Sequence, residues 1–460
     1  MLKKFILTVL IIIYTFSIFS QDTWSLERCI NYALENNIQI KQQELNTKYH
    51  SNNYNQSKTG VLPNLNFTAS RTYSYGKALD YLDYNYKDKT QRNDFRLSSS
   101  VTLFQGLQNY NTISKNNYDM QASLQDLQQI KNNVSLTIAS AFLNILFNEE
   151  LVTVSQEQLE ITKQQVERAE KLLEAGSIAK GRLLEIQAQA ASEELRLINA
   201  QNQLDISYLT IVQLLELDSI SNFKINIPEN IEVSFRNIDI LSIGSIYTEA
   251  ESSLPQIKGA ELRLKGSEKQ LLIAKGGVSP SLSITASYGS MYSIPAERIV
   301  YGDDGYPLVD ANGDVLKENY LKNDQFNDFL STSLSFNLRV PIFNGLMVKN
   351  NVDNAKIGIL NSRLDLENQK NILLKDIQQA YADAIAAYKK YLASDKALVA
   401  MEESFRYTQE KYEVGLVNTV DYNAAKNQLA QTKSDLLQAK YEYIFKTKIL
   451  DFYRGIPIKI

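Results

Sequence analysis

The chain has 460 residues and a formal net charge of −4, with one Cys, one His, eight Pro and 18 Gly. A single Cys excludes an intramolecular disulfide, and a single His excludes a His-rich metal site. A Ser-His-Asp triad would have to use His50, which lies in a polar run without any motif. The acidic balance argues against a nucleic-acid partner, which requires a basic face. With no phosphate-cradling Gly loop either, the sequence predicts no cofactor, no metal and no enzymatic activity.

Residues 1–20 have the pattern of a secretory signal peptide. Lys3 and Lys4 precede the apolar stretch from Phe5 to Phe19, and Ser20 is a small residue before a cut at Gln21. The stretch is shorter than the roughly 20 apolar residues of a transmembrane helix, and no later run approaches that length. The sequence therefore predicts an exported chain without a helical membrane span.

The remainder of the chain is an internal duplication. A shift of 217 superposes Gly60 on Gly277, and a shift of 239 superposes Gly106 on Gly345. The second copy therefore carries 22 additional residues at one connection. We expect a first repeat over 21–217, a linker or equatorial segment over 218–242, and a second repeat over 243–460.

Long helices are predicted wherever Pro and Gly are missing. Each copy contains a stretch of 70 residues, ending at Gly176 or Gly415, with apolar residues spaced by three and four. At 1.5 Å per residue each such helix is about 100 Å long. Shorter helices are predicted before the strands and after the turns; we expect 243–276 to stack on 180–217, and 25–59 to stack on 419–454.

Each copy also contains two segments in which apolar and small polar residues alternate, the period of a strand. They are separated by polar loops at 76–94 and at about 291–328, and they cover 64–75, 96–104, 281–288 and 330–342. Alternation alone fits a soluble half-buried sheet as well as a transmembrane β-barrel. Because barrel closure needs about eight strands, four strands with open edges predict an oligomer, and three chains would supply twelve.

Several motifs resemble those of the TolC-type outer-membrane efflux channel family, and the resemblance covers the whole mature chain. They are the first-helix pattern from Leu26 to Ile40, Val61-Leu62-Pro63-Asn64-Leu65 with its copy at 278–282, the corner Val340-Pro341-Ile342-Phe343-Asn344-Gly345, and Tyr412-Glu413-Val414-Gly415 followed by Asp421. The resemblance implies a mostly α-helical homotrimer with duplicated helical hairpins forming a periplasmic α-barrel. It also implies a twelve-stranded barrel in outer-membrane lipid.

The resemblance further implies an aperture at the hairpin tips, closed by a Tyr, an Arg and Asp residues. Tyr412 and Asp421 match that Tyr and one Asp, whereas the positions of the Arg and of the first-copy Asp hold Val417 and Arg182. The narrower Asp ring falls on Ala424, with Glu185 as its first-copy equivalent. The gate candidates are therefore Tyr412, Asp421, Arg182 and Glu185, with a rearranged pairing of Arg182 and Asp421. The tip candidates for docking an adaptor are Gly176 and Gly415.

The function expected from these observations is passive conduction through an outer-membrane exit duct of a tripartite efflux or type I secretion system. The expected partners are two further copies of the chain, a periplasmic adaptor protein, an inner-membrane transporter and outer-membrane lipid. The alternative is a soluble periplasmic coiled-coil scaffold, which explains the helices but not four amphipathic strands of membrane length. The lumen face, mostly Ser, Thr and Asn, favours no particular cargo.

Overall fold

A computed structural model describes residues 23–79, 86–218, 223–227 and 242–457. The predicted signal peptide at 1–20 lies outside these residues, as does most of the predicted linker at 218–242. The prediction of a mostly helical chain with four long strands is confirmed. The helices are α1 Leu26–Asn36, α2 Ile38–Thr59, α3 Gln108–Glu174, α4 Lys180–Leu214, α5 Ile243–Ser253, α6 Pro255–Gly276, α7 Lys322–Asp328, α8 Met347–Glu413 and α9 Thr419–Tyr453.

The long helices have equal lengths in the two repeats. α3 and α8 contain 67 residues each, and α4 and α9 contain 35 each. The helices before the strands are broken, however, where the sequence predicted continuous ones. The breaks fall at Asn37 and Leu254, which are equivalent positions in the two copies. Asn37 accepts hydrogen bonds from the N–H groups of Gln39 and Ile40, and Pro255 occupies the first turn of α6, where its missing N–H costs nothing.

The prediction of which helices stack was wrong. The side-chain amide of Asn37 donates to the carbonyl of Leu214 at 3.4 Å, which places the α1–α2 break at the C-terminal end of α4. The guanidinium of Arg454, just after α9, lies 3.7 Å from the carboxylate of Glu249 in α5. In each repeat, the helices before the strands therefore meet the C-terminal end of the helix that follows the tip of the same repeat. α1 and α2 meet α4, and α5 meets α9. Apolar side chains of α5 also pack against α8 and α9, which the helix lengths could not reveal.

Four strands form one antiparallel sheet in the order β1-β2-β3-β6. Their bounds are β1 Asn66–Leu79, β2 Tyr86–Gln105, β3 Ser281–Ile294 and β6 Ser331–Arg339, while β4 Glu297–Ile299 and β5 Lys317–Asn319 form a separate hairpin. The predicted loop at 76–94 was largely wrong, because β1 and β2 continue into it. The paired register puts Tyr75 opposite Lys89. Polar side chains alternate there without an apolar face, so the strand period was not visible in the sequence.

The connection between β3 and β6, which carries the 22 additional residues of the second copy, forms an excursion from the sheet. It contains β4, β5 and α7, so the segment predicted as a long polar loop has regular secondary structure. The side chain of Gln325 in α7 bonds to the N–H of Ser293 at 2.8 Å and to its carbonyl at 3.2 Å. Ser290 donates to the carbonyl of Phe326 at 2.5 Å. α7 is therefore attached to β3.

The chain divides into two compact units, and each combines residues from both repeats. The described residues within 1–48, 121–261 and 364–460 form the first unit. Those within 49–120 and 262–363 form the second unit, which holds the four-stranded sheet. The core of the first unit contains the fully buried side chains Ile138, Phe142 and Ile145 of α3. Among the described helices, α3 is long and apolar enough to cross a membrane, but 44% of its most apolar stretch is buried inside the molecule.

Candidate functional site

The two helical hairpins of the first unit end in identical turns. Gly176 has a φ of 70° and Gly415 a φ of 79°, the left-handed region in which glycine avoids the Cβ clash. At the first tip the N–H of Ser177 reaches the carbonyl of Leu172 at 2.7 Å; at the second, Leu416 reaches Lys411 at 2.8 Å. These are the hydrogen bonds of a Schellman motif, which satisfies the last carbonyls of a helix. The tips are thus built by the local sequence alone.

The helices that leave the tips start differently. Asn418 caps α9, because its side-chain oxygen accepts the N–H of Asp421 at 2.8 Å. Asp421 itself lies exposed in the first turn of α9. A carboxylate at this position stabilises the helix, because it is attracted to the positive end of the helix dipole. α4 begins after Ala179 without a side-chain cap. The two hairpins are therefore alike in backbone but not in charge.

A cleft of about 430 Å³ between the tips contains three of the residues singled out in the sequence, Arg182, Tyr412 and Gly415. The guanidinium carbon of Arg182 lies 4.9 Å from the ring centre of Tyr412, a cation–π contact. The ring of Tyr412 also stacks on Tyr422, with ring centres 4.4 Å apart. Arg182, Tyr412 and Tyr422, called here the tip stack, join α4 of one hairpin to α8 and α9 of the other.

Tyr422 was missed by the sequence analysis. It is buried, accepts a hydrogen bond from the side-chain amide of Gln165 at 2.8 Å, and has a raised pKa because burial disfavours the phenolate. Asp421 and Glu185 are exposed, and Gly176 does not line the cleft. Among the described residues of one chain, no ion pair joins Arg182 to Asp421. The structure therefore brings Arg182 to an aromatic face within the chain and leaves Asp421 open to solvent.

A buried charged cluster, also missed from sequence, links the hairpins further along. Lys426 of α9 lies 3.2 Å from the carboxylate of Glu193 in α4, and both side chains are almost fully buried. Thr162 of α3 contacts both groups, and Gln189 donates to Glu193 at 2.8 Å. Burial lowers the pKa of Lys426, while the neighbouring Glu193 opposes that shift. On helices rich in charge, no sequence signal marked these two residues.

In the second unit, the sheet has two chemically different faces. Side chains alternate along each strand, and the register aligns Phe67 with Leu97 and Tyr288 on one face. On this face Phe336 and Leu338 of β6 remain 66% and 68% exposed. The opposite face carries mostly Ser, Thr and Asn, with Ser287 hydrogen-bonded to Ser333 across the strands at 2.7 Å. A large exposed apolar face is typical of a surface that meets lipid or protein.

Comparison with known proteins agrees with this geometry. Residues 29–216 and 246–447 match the model of a family described as "Outer membrane efflux protein". Outer membrane protein TolC of Escherichia coli (strain K12) is 23% identical over 402 residues, which cover 85% of this chain and 74% of that protein. The family and this relative are transport proteins rather than enzymes.

Solved structures share the fold over nearly the full length. A structure of CusC, reported with its folding and transmembrane channel formation, superposes with a TM-score of 0.75 at 18% identity and covers 96% of each chain. The CmeC outer membrane channel of Campylobacter jejuni superposes with a TM-score of 0.74 at 16% identity, covering 94% of this chain and 85% of that one.

Proposed function

This chain belongs to the outer membrane efflux protein family and is an exit duct of the outer membrane with a large periplasmic portion, and we propose that three copies close their sheets into one twelve-stranded barrel. One observation carries the proposal. Within the described chain, β1 and β6 each have a partner on one side only. Open edges of long strands pair with further strands, and closure requires more than four of them. The exposed apolar face would then meet lipid, which disfavours a soluble scaffold.

The tips are the proposed docking site for a periplasmic adaptor protein, which would connect the duct to an inner-membrane transporter. At the second tip, Val414 and Leu416 on either side of Gly415 are 72% and 77% exposed. Apolar side chains held out at a rigid turn fit a protein partner better than solvent. Gly176 marks the equivalent turn of the first hairpin, and the duplicated chain therefore offers two similar docking positions per copy. We also propose that the chain consists of two repeats, 21–217 and 243–460; the equal lengths of α3 and α8 support this division.

Conduction through this duct would be passive, with the aperture at the tips. The tip stack would hold the two hairpins of one chain together, while the exposed Asp421 and Glu185 would be free to pair with a neighbouring copy. Arg182 can contact the ring of Tyr412 and still present guanidinium N–H groups to an Asp421 of the next chain. The aperture would then open when these contacts are broken by a partner.

Assembly is tested by two variants on neighbouring positions of β6. Phe336→Arg places a charge on the apolar face near the middle of the strand, at a cost of about 2–4 kcal/mol per chain in a bilayer. Asn337→Arg places the same charge on the polar face. We expect native mass spectrometry of detergent extracts to give a trimer for the original chain and Asn337→Arg, but reduced membrane assembly for Phe336→Arg. A monomer in the soluble fraction for all three would overturn the proposal.

The aperture is tested by single-channel recording. Tyr412→Phe keeps the aromatic face that Arg182 contacts, whereas Tyr412→Ala and Arg182→Gln remove the contact. We expect the latter two to raise the mean conductance and Tyr412→Phe to resemble the original chain. Asp421→Ala should raise it as well if neighbouring chains pair there. Unchanged conductance in Arg182→Gln and Asp421→Ala would contradict an aperture at these residues.

A further inference from the structure

We propose that the polar face of the sheet selects anionic cargo, small molecules bearing carboxylate or phosphate groups, through two levels of arginine. The proposal rests on the closed barrel proposed above, in which this face lines the channel. It starts from the charges on the regular ladder, formed by β1 from Asn66 to Tyr75, β2 from Lys89 to Gln105, and all of β3 and β6. On its polar face the charged residues are Arg92, Asp94, Arg96 and Arg339.

Two of these charges cancel. The guanidinium of Arg92 holds the carboxylate of Asp94 through Nε at 2.9 Å and through a terminal nitrogen at 2.8 Å. Within the described chain, Arg96 and Arg339 have no carboxylate within ion-pair distance. The face therefore carries two uncompensated positive charges per copy, although the chain as a whole is acidic.

The two uncompensated arginines lie at the levels of the two ends of β6. Arg96 pairs with Gly289, which pairs with Ser331 at the start of β6. Arg339 ends β6 opposite Ser281. The eight-residue step from Ser331 to Arg339 spans about 26 Å along the strand. In a barrel whose strands tilt by about 40°, this corresponds to about 20 Å of height, most of an apolar band of roughly 25 Å. In a trimer, cargo would pass one arginine ring on entering the barrel and another near its outer end.

The surroundings of Arg339 leave its charge unneutralised. A cavity of about 830 Å³ opens beside it, and every other side chain lining that cavity is uncharged. Several are amides, among them Gln105, Gln108, Asn344 and Asn351. One guanidinium among amide donors is a setting that favours carboxylate and phosphate groups. Rings of Arg or Lys in a pore select anions in the same way.

The charge around Arg96 is less uniformly positive than the charge around Arg339. Asp328, at the end of α7, lines the recess in which Arg92, Asp94 and Arg96 lie. Its carboxylate accepts a hydrogen bond from the Tyr320 hydroxyl at 2.6 Å, but its charge still acts on that recess. Arg339 lies at the other end of the strands, away from this acid. We therefore assign the larger part of the selectivity to Arg339.

The test measures the reversal potential of the reconstituted channel across a KCl gradient. At about 0.1 M salt, where the screening length is about 10 Å, Arg339→Gln and Arg96→Gln should each lower the chloride-to-potassium permeability ratio, roughly twofold for Arg339. Asp94→Asn frees Arg92 and should raise the ratio. Arg71→Gln is the matched control, because Arg71 lies on β1 facing away from the polar side, and it should leave the ratio unchanged.

The outcomes distinguish failure of the anion selectivity from failure of the closed barrel on which it rests. If conductance steps appear and both arginine variants keep the original ratio, the anion selectivity is wrong and the channel stands. If no steps appear even from the original chain, the closed barrel itself fails. If Arg339→Gln alone does not insert, Asn337→Arg adds charge to the same face and must raise the ratio. Millimolar citrate should block the current of the original chain and block Arg339→Gln less; equal block would also overturn the selectivity.

Discussion

Glu193 and Lys426 are the two charged side chains that lie fully buried within the described part of the chain. They come from α4 and α9 and are joined through Thr162 of α3, so one cluster connects both hairpins. A buried ion pair contributes little net stability, but removing one partner leaves an uncompensated charge in the core. The cluster therefore acts mainly on how the hairpins are aligned.

We predict that Glu193→Gln lowers the thermal midpoint of the helical circular-dichroism signal strongly, because stranding the Lys426 charge costs about 3–5 kcal/mol. Glu402→Gln is the control: Glu402 of α8 faces Lys433 of α9 at 3.8 Å, but both side chains are exposed, and such pairs contribute at most about 1 kcal/mol. Replacing Glu193 and Lys426 together by Met should cost less than Glu193→Gln alone. Equal midpoints for Glu193→Gln and Glu402→Gln would contradict this account.

Cys29 of α1 is fully buried, and burial raises the pKa of its thiol to about 12. The reactive thiolate is therefore nearly absent below about pH 10. We predict that maleimide leaves the folded protein unlabelled at pH 8 and labels it only after denaturation, as read by mass spectrometry. In Cys29→Ser/Ser177→Cys, whose thiol lies on the exposed first tip, labelling should be immediate. Rapid labelling of the original chain would show that α1 opens readily.

At the scale of the elements, each tip depends on one left-handed glycine. The Schellman hydrogen bonds at Gly176 and Gly415 have nearly the same lengths, 2.9 and 3.1 Å for the glycine N–H groups. No side chain from another element crowds either glycine, because a Cβ would meet nothing within 4 Å at either position. The requirement for Gly is thus purely one of backbone conformation.

Gly415→Ala should therefore weaken the second tip by about 1–2 kcal/mol, the cost of a left-handed conformation for an L-residue. Gly181→Ala, in the first turn of α4 with free space for a Cβ, should instead stabilise its helix by about 0.5–1 kcal/mol. Hydrogen–deuterium exchange of the peptide covering 411–420 measures the first effect. Exchange in Gly415→Ala as slow as in the original chain would show that the neighbouring helices, not the turn, hold the tip.

At the scale of the whole molecule, duplication explains why the second copy tolerates an excursion. β4 and β5 pair with each other and not with the main sheet, whereas α7 is attached to β3 through Gln325. The first copy joins β1 to β2 without such an insertion. The hairpin is thus an addition to a fold that is complete without it.

We predict that replacing Arg298–Glu318 by a short Gly-Ser linker leaves the yield of trimer and its conductance unchanged, because β3 and β6 keep all their mutual hydrogen bonds. Deleting Lys322–Asp328 is the comparison, since it removes Gln325 and uncovers Ser290 and Ser293; this variant should assemble less efficiently in the outer membrane. Failure of the linker variant to form trimers would mean that the hairpin takes part in assembly.

Much of the fold was predictable because its signals are local. Glycines at 176 and 415 end the long helices where the sequence indicated, and the alternation from Ser331 to Arg339 is a strand over its whole length. Local signals failed where polar residues alternate with polar ones, as at 86–94, and where one side chain breaks a helix, as at Asn37. Of the tip stack, Arg182 and Tyr412 came from the family resemblance and Tyr422 from the structure only.

The sequence by itself determined the duplication, the helix and strand periods and the turns, because each depends on residues close together in the chain or on identity between copies. Only the tertiary structure decided which helices meet, that Arg182 faces Tyr412, and that Glu193 finds Lys426, 233 positions later. Such pairs depend on how whole helices are rotated and aligned. That choice minimises buried charge and unfilled space across the entire core, and no short segment of sequence carries that information.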